Sequence, residues 1–165
     1  MIRILLLLIS LPVFAGTYDR SEFGRWLDED RDCQNTRHEL LIEQSTVPVI
    51  LSENGCRVVH GRWISMFTGA VITDASKLDI DHIVPLAWAW SHSADKWEKK
   101  RRISFANDPR NLIVVESSLN RSKGAKGPDE WLPPENECQY TLRFIRVARS
   151  YDLTFDRDAL RAAGC

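Results

Sequence analysis

The stretch Leu78-Asp79-Ile80-Asp81-His82-Ile83-Val84-Pro85-Leu86 carries the densest chemical signal in the chain. Its apolar residues alternate, which is the period of a strand. The Asp81-His82 pair within it sets an anionic oxygen beside an imidazole. Hydrolysing a phosphodiester takes an oxygen-ligated divalent cation at the phosphate, a base for the attacking water, and stabilisation of the leaving oxygen. Asp81 can supply part of the first and His82 the second. A hard cation such as Mg²⁺ keeps several waters, so a carboxylate plus one amide oxygen is enough protein ligation. The same pair also suits a structural histidine, so it does not decide the matter alone. Downstream, Asn111-Leu112-Ile113-Val114-Val115-Glu116 is a second apolar β run. It leads into Ser117-Ser118-Leu119-Asn120-Arg121-Ser122-Lys123-Gly124, whose amide, guanidinium and ammonium groups are the types that meet a phosphate.

These two segments together resemble the HNH nuclease superfamily. The D-x-D-H-I-V-P run followed by N-x₈-N-R-x-K is similar to the HNH domain of CRISPR RNA-guided nucleases. The longer stretch, roughly residues 24–140 with a motif core at 79–124, is more similar still to secreted HNH proteins related to the C-terminal domain of GmrSD-type restriction endonucleases. The resemblance implies His82 as general base and Asp81 and Asn120 as metal ligands, with Asn120 where older members carry a last histidine. It implies that Asn111 braces the loop carrying His82 and that Asp79 supports the site. Arg121 and Lys123 are implied phosphate contacts, with solvated helix charges as the alternative. A neutral amide oxygen at Asn120 favours Mg²⁺ or Mn²⁺ over zinc. The expected activity is hydrolysis of DNA with little sequence preference. A catalytically silent nucleic-acid-binding protein and an RNA- or structure-selective nuclease are the alternatives.

The elements that must position these residues follow from pattern. Thr36 with Glu39 offers a capping box for a helix after a polar opening segment. Val47–Ile50 and Arg57–His60 flank an Asn54-Gly55 hairpin turn, and Gly69–Thr73 reads as another strand. Residues 87–105 read as a helical insertion ended by Asn107-Asp108-Pro109. Ser117-Ser118 offers an N-cap for the helix carrying Asn120, and one or two helices follow Cys138. The fold expected is a single α+β domain over residues 16–165. It holds a ββα-metal motif with a helical insertion, flanking helices and two disulfides.

Residues 1–15 have the layout of a signal peptide, with Arg3 before an apolar run and a cleavage position after Ala15. A secreted or periplasmic monomer is therefore expected, with no stable membrane insertion. Four cysteines in such a chain should pair. Spacing leaves three connectivities open, with Cys33–Cys56 and Cys138–Cys165 favoured because each staples one end of the chain. Without its leader the chain is net −2, yet residues 96–126 hold nine basic and three acidic side chains, a +6 segment. Such a stripe suits a phosphate backbone or a solvated helix face. Asp28, Asp30 and Asp32 have the spacing of a calcium loop, but Cys33 stands where that loop wants glycine, so a solvated acidic turn is the stronger reading. Arg37 could clamp a phosphate or pair with these acids. The six tryptophans are expected mainly in packing, and His38, His60 and His92 as structural or surface residues.

Overall fold

The computed structural model describes residues 16–165; the signal-peptide segment lies outside the described residues. The architecture is mixed α+β. A three-stranded antiparallel sheet comprises β1 (Ile50–Leu51), β2 (Val58–Ile64) and β3 (Val71–Asp74) in that order. A separate antiparallel pair comprises β4 (Leu78–His82) and β5 (Leu112–Glu116). Helix α1 (Thr36–Glu43) precedes the first sheet. Helices α2 (Leu86–Ser91) and α3 (Lys99–Asn107) lie between β4 and β5. The chain then continues through α4 (Ser117–Lys123), α5 (Glu137–Ser150) and α6 (Arg157–Gly164).

The β4–β5 pair is a wall between two cores, which is why its sequence is so apolar. On one side Leu78, Ile80, Leu112 and Val114 pack with Leu40, Leu41 and Trp63. On the other, Ile113 and Val115 join Phe105, Tyr140 and Phe144. The register sets Asp79 opposite Val115, Asp81 opposite Ile113 and His82 opposite Leu112. Directly opposed residues share a face, so Asp79 and Asp81 point toward α4 and α5, and His82 points to the other side. Glu116 fastens the β2–β3 turn to the end of β5 by accepting hydrogen bonds from Ser65 Oγ and Thr68 Oγ1.

Several expected boundaries shift. The insertion is two helices rather than one continuous run over 87–105. Ser91 Oγ and His92 Nδ1 both donate to the Trp88 carbonyl, at 2.9 and 2.6 Å, and Ser93 turns left-handed at φ 93°. Side chains that compete for the last carbonyls close a helix. The cap of α1 is Asn35, whose side chain accepts from Arg37 N at 3.1 Å, not Thr36. Ser117 does not cap α4, because its hydroxyl donates to Asp79 instead. The strand expected over 78–86 stops at His82.

The disulfides are Cys33–Cys56 and Cys138–Cys165. The first ties the acidic turn before α1 to the β1–β2 turn, and the second ties the start of α5 to the C-terminus. Among the described residues no helix is long and apolar enough to cross a membrane.

Candidate active site

Asp81 is buried, and its two oxygens differ. Oδ1 accepts a hydrogen bond from Lys123 Nζ at 2.8 Å, while Oδ2 is buried and has no hydrogen-bond partner among the described residues. Lys123 is fully buried, and its ammonium also donates to the His82 carbonyl at 2.8 Å. Burial pushes the Asp81 carboxyl up and the Lys123 ammonium down, and their mutual attraction opposes both shifts. Lys123, expected as a phosphate contact, therefore lies inside the protein and not where a backbone would run.

His82 is the last residue of β4, so its ring leaves the sheet at the strand end. It reaches the same pocket of about 270 Å³ as Asp81 and Asn120 despite facing the opposite side of the strand. Its Nε2 lies 2.9 Å from the Ala106 carbonyl, which can only accept, so Nε2 carries the proton and Nδ1 is the lone-pair nitrogen. Burial is the main cause that pushes the imidazole down to about 3, which keeps the ring neutral. Trp26 lies flat against it, with ring centroids 5.3 Å apart and planes within 6°.

The other two strand and helix residues have defined partners. Asp79 Oδ1 accepts from Ser117 Oγ at 3.0 Å and Oδ2 accepts from Asn120 Nδ2 at 3.1 Å. The second bond fixes which way the Asn120 amide points, with its Oδ1 turned away from Asp79. Asn111 is completely buried. Its Oδ1 accepts from Val84 N at 2.8 Å and its Nδ2 donates to Val84 O, while its own carbonyl accepts from Ile83 N. The turn that follows His82 is thus clamped to the start of β5.

The structure brings Asp81, His82 and Asn120 to one pocket, with Asp79 and Asn111 behind them. Arg121 is exposed on a neighbouring groove that includes Asp79 and Lys77. Arg37 meets neither the pocket nor the acidic turn; its guanidinium donates to the Leu78 carbonyl at 3.0 Å. Asp28, Asp30 and Asp32 lie close together and exposed, and each accepts a backbone N–H of their own turn. His38, His60 and His92 bond backbone groups. The +6 segment is not a free stripe in space. Arg102 and Lys99 meet Glu22, Arg101 meets Asp152, Arg110 meets Asp108, and Lys123 meets Asp81. Tyr18 and Arg20 line the pocket as well. No motif pointed to them; they come from the polar opening segment.

Oxygen donors suit a hard cation. The unpartnered buried Oδ2 of Asp81 and the oriented amide of Asn120 form a donor set that fits one, on the floor of a pocket that also holds a neutral imidazole.

The chain is 39% identical over 141 residues to an uncharacterized secreted protein of Arthroderma benhamiae (strain ATCC MYA-4681 / CBS 112371), covering 83% of this chain and 68% of the relative. No solved structure matches. Residues 41–161 match the model of the GmrSD restriction endonucleases, C-terminal domain, a span that contains β4, β5 and α4. The chain belongs to that family.

Proposed function

We propose that this protein is a secreted, metal-dependent endonuclease of the HNH type, with β4, β5 and α4 as its ββα-metal motif and DNA as its substrate. The observation that carries the reading is the buried, unpartnered Oδ2 of Asp81 in one pocket with His82 and Asn120. A buried carboxylate oxygen without a hydrogen bond is costly, and a cation at that point removes the cost. Asp81 and Asn120 would hold Mg²⁺ or Mn²⁺, which when bound would supply charge stabilisation for phosphodiester hydrolysis.

The chain's own residues do the rest. Ala106 holds the Nε2 proton of His82, so Nδ1 is the atom that takes a proton from the attacking water. In-line attack then leaves 5′-phosphate and 3′-hydroxyl ends. Asn111 keeps the turn after His82 from drifting, and Asp79 keeps the Asn120 oxygen facing the pocket. The two disulfides and the secreted relative support a site of action outside the cytoplasm.

The test is incubation of the purified mature chain with plasmid, single-stranded DNA and RNA across a panel of divalent metals. DNA nicking that needs metal and is lost in His82→Ala is expected. Full cleavage by His82→Ala would reject His82 as the base. Asn120→Ala should raise the metal concentration required, and an unchanged metal titration would remove Asn120 from the ligand set. Binding without cleavage under every metal would favour a silent nucleic-acid-binding protein.

A further inference from the structure

Residues 17–26 precede the span 41–161 that the family match covers, yet they reach the pocket. They are fastened to the helical insertion. Phe23 is fully buried against Phe105 and Trp90, with ring centroids 6.4 and 6.2 Å away. Glu22 pairs with the buried Arg102 at 2.6 Å. Asn107 accepts from Leu27 N at 3.0 Å and donates to the Arg25 carbonyl. Between these anchors Gly24 turns at φ +69°, where an added Cβ would lie 3.0 Å from Ile103, so a larger residue fits neither the angle nor the space.

Held at those points, the segment presents two groups to the chemistry. Arg20 lines the pocket and, among the described residues, makes one hydrogen bond, to the Gly24 carbonyl at 2.8 Å. A guanidinium carries five N–H donors in a fork that matches a phosphate, and Arg20 has no ion pair among the described residues. Trp26 lies parallel to the His82 ring and offset from it, with centroids 5.3 Å apart. The single bond from His82 Nε2 to Ala106 fixes one atom of the ring but not its rotation about that contact. The parallel indole restricts that rotation from one side.

We propose that residues 17–26 are a strap that completes the site, with Arg20 binding a phosphate of the nucleic-acid backbone and Trp26 acting as a positioning residue for the His82 imidazole. The proposal rests on the nuclease reading above and adds to it a contribution from outside the family-matched span.

The test compares mature wild-type protein with Arg20→Ala, Arg20→Lys, Trp26→Ala, Trp26→Phe and His82→Ala. Binding of a fluorescein-labelled DNA duplex is read by anisotropy in EDTA over a salt series, and steady-state cleavage is read with Mg²⁺. Arg20→Ala should weaken binding by about tenfold or more, the scale of a charge-assisted phosphate contact. It should also flatten the plot of log affinity against log salt by about one unit, whereas Arg20→Lys keeps the slope. Trp26→Ala should lower kcat while leaving duplex affinity unchanged, and Trp26→Phe should recover most of the rate. If Trp26→Ala fails to fold, Trp26→Leu keeps apolar bulk without the flat face and should show the same loss of kcat. Wild-type affinity and salt slope in Arg20→Ala, or wild-type kcat in Trp26→Ala or Trp26→Leu, would overturn the strap wherever cleavage still depends on His82. Wild-type cleavage by His82→Ala would instead reject His82 as the base, and absence of cleavage by the wild-type protein with every metal would strike the nuclease reading itself.

Discussion

Lys123→Met separates the buried ion pair that the structure gives this lysine from the phosphate contact that its motif position implies. The side chain is fully buried, and its ammonium sits 2.8 Å from both Asp81 Oδ1 and the His82 carbonyl. Methionine fills much of the same space without the charge. Because Asp81 Oδ2 has no hydrogen-bond partner among the described residues, the substitution also strips Oδ1 of its Lys123 hydrogen bond. Removing one member of a buried ion pair costs about 3–5 kcal/mol. A domain of this size loses roughly 2–4 °C of Tm per kcal/mol, so the midpoint should fall by about 6–20 °C. The assay is thermal and urea unfolding at pH 7 in EDTA with both disulfides oxidised. A second variant sharpens it: Asp81→Leu with Lys123→Met removes both charges and should recover most of the lost stability, since a well-packed apolar pair often matches a buried ion pair. A surface phosphate contact predicts the opposite pattern, with stability within about 0.5 kcal/mol of wild type and weaker DNA binding. That pattern would refute the buried-pair account.

Three other outcomes follow from the same geometry. Asn111→Ala leaves the Val84 N–H buried without its acceptor and should cost about 1–3 kcal/mol; native-state hydrogen exchange at the Val84 amide tests it, and unchanged protection there would contradict the clamp. Replacing Cys138 and Cys165 together by serine opens a link of sequence separation 27. The loop-closure term for that length is about 3.5 kcal/mol, and an unshifted urea midpoint would count against it. Burial alone would raise Asp108, but hydrogen bonds from Arg110 and Tyr151 outweigh it and hold the carboxyl below its ordinary value. Its contribution to stability is therefore full above the unfolded carboxylate pKa of about 3.9 and is lost as pH falls through the lower folded value. Asp108→Asn should be destabilised at pH 6 and converge on wild type in strongly acidic urea melts; a gap that persists unchanged would remove this linkage.

The strand pair and its helix were legible because their apolar periods are plain and their polar residues cluster at the ends. What sequence could not supply was burial. The +6 segment reads as a stripe because charge is visible in letters, but Arg102 and Lys123 point inward, and three more of its cations meet acids from elsewhere in the chain or from next door. Helical phase held a usable clue for Lys123. It stands three residues after Asn120 and so on the same side of α4, whereas Arg121 is rotated outward. The break at Ser91-His92-Ser93 was also written in the sequence, as three residues prone to bond their own backbone. Trp26 over His82 was not. Stacking between segments so far apart leaves no periodic trace, and Tyr18 and Arg20 reach the pocket from a segment that Phe23 helps anchor between Phe105 and Trp90.

The buried pair also bears on how the pocket is built. A surface carboxylate presents two equivalent oxygens and rotates freely. In Asp81 the two are made different: Lys123 captures Oδ1, and the packing of α4 and α5 against β4 buries the rest. Only Oδ2 is left with unsatisfied capacity. The same lysine holds the carbonyl of His82, so one ammonium fixes the carboxylate and the backbone of the neighbouring base together. Asp79 does the equivalent for Asn120 by taking its NH₂ group and leaving the amide oxygen unclaimed. Buried ionic groups are weak sources of net stability. Here the ion pair does something an apolar pair of the same volume could not, because it fixes which oxygen is left unsatisfied. That directional role accounts for a buried lysine beside a candidate ligand carboxylate better than stability does.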